Sequence, residues 1–175
     1  MKHLLSLLLL LPILCNAQTP QNPVIKSTGT IHDIPHATVK PDPGMEYHIV
    51  IDVASGPDSP DQLNPSLDNV ARLINLHVVG GVPLEKLHIV LAVHNASAVA
   101  LMNDEAYQKK FKTNNPNLVL IKELKDAGVK IAVCGQSLVR REIDPKQLAP
   151  GVEVAVSMLT TYSTYQLKGY SAMKF

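Results

Sequence analysis

The chain has 175 residues, 46% of them hydrophobic and 18% charged, with a formal net charge of +1. That balance fits one domain with a substantial core and excludes both a disordered chain and a membrane bundle. With no tryptophan, few other aromatics and no lysine–arginine block, the chain lacks the means to stack on bases or to capture nucleic acid or an anionic membrane electrostatically.

Residues 1–17 read as a secretory signal peptide. Met1-Lys2-His3 is a short positive start, Leu4 to Leu14 is apolar apart from Ser6 and Pro12, and Cys15-Asn16-Ala17 places small residues where a signal peptidase reads. Cleavage is expected after Ala17. Acylation at Cys15 is disfavoured by Leu14, which stands where a small residue is wanted. The apolar run is short for a bilayer, so the mature chain is expected to have no membrane span and to be periplasmic or secreted. Cleavage removes one lysine and no acid, which leaves the mature chain formally neutral with Cys134 as its single thiol. A lone thiol in an oxidising compartment pairs between molecules, reacts, or lies buried and inert. A dithiol mechanism is excluded.

Residues 18–44 form a Pro-rich arm. Pro20, Pro23, Pro35, Pro41 and Pro43 break any helix, so this segment is expected to be disordered or to lie along a neighbouring subunit. His32 and His36 stand four apart, but Pro35 between them denies the helical spacing that would aim both at one metal.

Residues 45–175 alternate between strands and helices. Tyr47 to Ala54 and Leu87 to Val93 are near-continuous apolar runs, the pattern of strands buried on both faces. Between them, Asn64-Pro65 starts a helix whose apolar positions include Leu67, Val70, Ala71 and Ile74, and Gly80-Gly81 ends it. Asn103-Asp104-Glu105 caps a second helix. Asn115-Pro116 is expected to start a third, ended by Gly128. Val129 to Cys134 is the third strand and Val152 to Val156 the fourth. A last helix spans Met158 to Lys168, and Tyr170 to Phe175 can close as a terminal strand. The pattern predicts a single three-layer α/β domain with a largely parallel sheet of about five strands flanked by helices.

In such sheets ligands bind outside the carboxyl ends of the strands. Those ends carry Ala54-Ser55, His94-Asn95, Cys134-Gly135-Gln136 and Ser157. Cys134 is the nucleophile with reach, at a strand-to-helix turn whose N–H groups favour a thiolate. Position alone is equally consistent with a small buried hydrophobe. His94 can orient the thiol or shuttle protons, or simply satisfy a loop carbonyl. His48 and His88, at the opposite end of the sheet, read as structural. A Cys–His–carboxylate set lacks a visible third member, since Asp52 lies within a strand whose register is open. Two metal ligands, His94 and Cys134, lack a third, no Gly-rich phosphate loop follows a strand, and no cofactor is expected.

The chain from about Tyr47 to Phe175 resembles the DsrE/DsrF-like family, which is related to sulfur-relay proteins and has a YchN-like fold. The resemblance rests on Asn75-Leu76-His77, Gly80-Gly81-Val82-Pro83, Val93-His94, Asn103-Asp104-Glu105-Ala106-Tyr107 and Asn115-Pro116-Asn117-Leu118. It continues through Val133-Cys134-Gly135-Gln136, Pro150-Gly151-Val152 and Gln166-Leu167-Lys168-Gly169-Tyr170. It implies a homo-oligomer, trimeric or hexameric, and a cysteine at the position of Cys134 that carries sulfur as a persulfide. The expectation is therefore an exported member in which Cys134 accepts sulfane sulfur and passes it to an acceptor protein or small thiol. His94 would exchange protons, and Asn95, Gly135, Gln136 and Ser137 would bind the ligand. The alternative is a non-enzymatic oligomeric module that binds a small ligand in the same sheet-end pocket.

Overall fold

Valine- and isoleucine-rich runs, punctuated by Asn, Gly and Pro, set the elements. The structure, a computed structural model, describes residues 19–175. The expected signal peptide and Cys15 lie outside the described residues. In chain order come a short antiparallel ribbon of β1 (Pro20–Gln21) and β2 (Ile31–His32), then β3 (Tyr47–Val53), α1 (Pro65–Val79) and β4 (Leu87–Val93). They are followed by α2 (Asp104–Phe111), α3 (Leu118–Asp126), β5 (Lys130–Cys134) and α4 (Gly135–Arg140). The chain closes with β6 (Glu153–Ala155), α5 (Met158–Leu167) and β7 (Ser171–Lys174). Among the described residues no helix is long and apolar enough to cross a membrane.

The five later strands form one sheet in the order β6-β5-β4-β3-β7, parallel throughout. Side chains alternate between its faces. The odd-numbered face, with Ile49, Ile51, Val53, Ile89, Leu91, Val93, Ile131 and Val133, packs with Leu67, Val70 and Ile74 of α1 and Ile121 and Leu124 of α3 into the main core. The even-numbered face carries Val50, Val90, Ala92, Ala132 and Cys134, which are buried but lie outside that core. Helix α5 covers this second face, reaching strands β3 to β7.

The predicted helix start at Asn64 is realised. Its buried side-chain oxygen accepts from the N–H groups of Ser66 (2.9 Å) and Leu67 (3.1 Å), a cap worth about 1 kcal/mol. Asn103 caps α2 in the same way through Ala106 N–H. Helix α3 starts at Leu118, later than the Asn115-Pro116 signal predicts. Asn115 instead turns its amide onto the carbonyls of Ala100 (2.9 Å) and Met102 (2.6 Å), and its side-chain oxygen accepts from Asn117 N–H. Loop carbonyls outcompete the helix for this side chain, as local polar groups do at turns.

The Pro-rich arm, expected to be disordered or to lie along a neighbouring subunit, is ordered and straps its own domain. Ile25 is fully buried and Ile31 nearly so. Asn75 of α1 holds the strap through four backbone bonds. Its oxygen accepts from Val24 and Ile25 N–H, and its amide donates to the carbonyls of Ile25 and Gly29. Asp68 adds bonds from the Thr28 hydroxyl and the Gly29 N–H. Proline content rules out a helix here but leaves room for docking through isoleucine side chains and carbonyls.

Candidate functional site

The pairing Val53–Val93–Val133 levels the carboxyl ends of the three central strands. Each of β4 and β5 then contributes one more residue, His94 and Cys134, at the same level on strands about 4.8 Å apart. Both fall on the even-numbered face, as does Asp52, which pairs with Ala92. His94 is still extended (φ −152°, ψ −175°), and its N–H donates to the Val53 carbonyl, so the ring stays fixed to the sheet. Its Nε2 lies 2.6 Å from Asp52 Oδ1, and the aspartate retains only 8% of its exposure. Lys174 Nζ, on the edge strand β7, stands 4.0 Å from the other carboxylate oxygen.

Cys134 keeps 5% of its exposure. Burial pushes its thiol pKa up. Against that stand the Met158 N–H at the start of α5, the Ser137 hydroxyl, and the N–H groups of Ser137 and Gln136. Together they outweigh burial and hold the thiol below its ordinary value, because each favours the anion. Ser137 is itself oriented: its hydroxyl oxygen accepts from the Asn95 N–H at 3.0 Å, which leaves its proton for the sulfur. Asn95 reaches this position with φ +52°, a left-handed conformation that asparagine tolerates. Gly135 is required sterically, since a Cβ there would sit 2.9 Å from the Ala155 carbonyl oxygen on β6. Gln136 contributes its N–H to the sulfur, while its side-chain amide makes a long 3.5 Å contact to the Val156 carbonyl.

These groups surround a cleft of about 220 Å³. His94, Asn95, Cys134, Gln136 and Ser137 all line it, as do Arg140 and the first residues of α5. A larger cavity of about 330 Å³ lies between the strap and the C-terminal end of α1, toward the amino end of the strands, and contains no cysteine. Among the described residues no three His, Cys, Asp or Glu side chains gather as metal ligands.

The DsrE/DsrF-like family model matches residues 48–175. The chain belongs to the DsrE/DsrF-like family. No curated protein matches it. Among solved structures it is similar to the protein of unknown function MTH1491 from Methanobacterium thermoautotrophicum, with 19% identity and a TM-score of 0.56. It is also similar to the ychN protein from E. coli, with 20% identity and a TM-score of 0.55. Each match covers 74% of this chain and 99% of the other. At these identities the likeness establishes the fold, a parallel α/β sheet shared with DsrE-like proteins.

Within this family fold the expected residues do meet, and sequence reading missed two that join them. Asp52 was unassigned because its face depends on strand register. Parity was the available signal, since 52, 94 and 134 share it along strands that end level. Arg140 sits three residues beyond Ser137 and four beyond Gln136, the spacing that returns to one helix face. His48 and His88, expected to be structural, stack at 4.5 Å at the opposite end of the sheet, where His88 meets Glu46 at 2.8 Å.

Proposed function

We propose that this DsrE/DsrF-like protein is an exported sulfur carrier, working in the periplasm or outside the cell. The Cys134 thiolate attacks a sulfane sulfur; a new S–S bond forms, and the donor's leaving group departs with the electron pair of the broken bond. In the second half, an acceptor thiol gives its proton to His94 Nδ1 and attacks the outer sulfur of the persulfide. Cys134 then leaves as the thiolate, and sulfur passes on without net oxidation. Asp52 holds His94 through Nε2, which fixes Nδ1 as the basic nitrogen. Asn95 and Ser137 orient the sulfur, and Gly135 and Gln136 form the turn that cradles it.

The observation that carries this reading is that Cys134 and the Asp52-held His94 line one cleft at the carboxyl end of the sheet, where nearby N–H and hydroxyl groups lower the thiol pKa against its burial. Neighbouring donors that favour the anion set this thiol apart from an inert core cysteine. The family supports a sulfur-relay-related role at a coarser level. A homo-oligomer, trimeric or hexameric as the family resemblance implies, is part of this reading, and the exposed Val139, Val154, Val156 and Leu159 around the open edge β6 offer it an apolar surface.

The test is exposure of the folded protein to polysulfide, followed by intact-mass and peptide analysis. One added sulfur atom on the peptide containing Cys134, removable by an acceptor thiol and lost in Cys134→Ser, is the expected result. A thiol that stays unmodified in the folded protein overturns the reading. The competing function, a small-ligand module, would show thermal stabilisation by a ligand that is unchanged in Cys134→Ser.

A further inference from the structure

The cleft over Cys134 has a sign and a size, and both bear on the donor. Of the side chains lining it, Arg140 carries a permanent charge and none is a carboxylate. Asp52, behind His94, is turned onto that imidazole and faces Lys174. Arg140 has no ion-pair partner among the described residues, although it stands at the C-terminal end of α4. At about 220 Å³ the space is smaller than an ordinary drug-sized pocket, and the sulfur at its floor is 5% exposed. A small molecule reaches such a sulfur more readily than a cysteine on a folded partner.

Resting on the sulfur-carrier reading, we infer that the donor is a small sulfane-sulfur oxyanion of the thiosulfate class, selected by Arg140. A guanidinium fork matches an oxyanion face with paired N–H donors. As a cation lining the same cleft as the sulfur, it would also offset the repulsion between a thiolate and an anionic donor. With thiosulfate the step balances without a further reactant. Cys134 Sγ bonds to the outer sulfur, the S–S bond of thiosulfate breaks, and sulfite leaves with the electron pair. The cysteine sulfur is oxidised to the persulfide level, the sulfonate sulfur is reduced to sulfite, and total charge is conserved. Arg140 acts here as a specificity residue, separate from the groups that make the thiolate.

The experiment compares two reactions at Cys134 in the full chain: sulfur uptake from thiosulfate, and alkylation by neutral iodoacetamide. In Arg140→Gln the ratio of the two rates is expected to fall about tenfold, the scale of one charge-assisted hydrogen bond. Iodoacetate measured against iodoacetamide, the same reagent with and without charge, is expected to shift in the same direction. Arg140→Lys should restore part of the ratio, and added salt should slow thiosulfate uptake in the parent chain but not in the Gln variant. An unchanged thiosulfate-to-iodoacetamide ratio in Arg140→Gln overturns the inference and leaves sulfur carriage standing. If Cys134 alkylates normally but takes sulfur from neither thiosulfate nor polysulfide, the carrier reading falls as well. Arg140 is exposed on a short surface helix, so these variants fold, and circular dichroism checks that directly.

Discussion

The two faces of the sheet are built from the same strands yet differ in what they hold. The odd-numbered face is continuous Ile, Leu and Val under α1 and α3. The even-numbered face holds Val50, Val90, Ala92 and Ala132 along its middle, and ionisable or reactive residues toward its ends. Helix α5 covers it, with Leu159 and Leu167 turned outward. Parity along a strand thus separates stability from chemistry: shifting one residue changes which of the two a side chain serves.

Substitutions can break that separation. The largest effect expected is complete loss of sulfur uptake in Cys134→Ser, with stability in urea changed by no more than about 1 kcal/mol because the hydroxyl keeps the same donors nearby. Next, Leu91→Ala on the other face should cost about 3 kcal/mol by denaturant unfolding, through the cavity it leaves. Sulfur uptake per folded molecule should then be nearly unchanged; a parallel loss of activity would show that the faces are coupled. Asp52→Asn should slow sulfur release to an acceptor thiol about tenfold, consistent with weakened general acid–base help, while iodoacetamide alkylation is largely retained. The smallest effect is on stability against pH. The folded thiol of Cys134 titrates below its unfolded value, so its contribution is complete above the ordinary cysteine pKa and is lost as pH falls through the folded one. The alkylation rate should rise over that same depressed range, and a midpoint at or above that of free cysteine would contradict the donor set around the sulfur.

Much of the frame was legible because it rests on local signals. Continuous apolar runs marked β3, β4 and β5, and Asn64-Pro65 and Gly80-Gly81 bounded α1 with caps that need only neighbouring backbone. Cys134 and His94 could be read as strand-end residues because strand ends are where such runs stop. Asp52 could not be assigned, since which face it joins is fixed by pairing with a strand forty residues away. The strap was misread for a related reason. Its proline content is a local signal, whereas its hold on α1 comes from Asn75, a polar residue on an apolar helix stripe that looks like a defect until the carbonyls of Ile25 and Gly29 stand opposite it. The onset of α3 failed similarly, with Asn115 claimed by distant loop carbonyls.

Asp52 also touches the end of the chain. Its backbone carbonyl accepts from the Phe175 N–H, and its carboxylate faces Lys174. A purification tag or fusion joined after Phe175 would therefore hang directly from the residue that steers His94. Handles for immobilisation or labelling belong at the other end of the sheet, for instance at the exposed Glu85 just before β4, whose far end leads into His94.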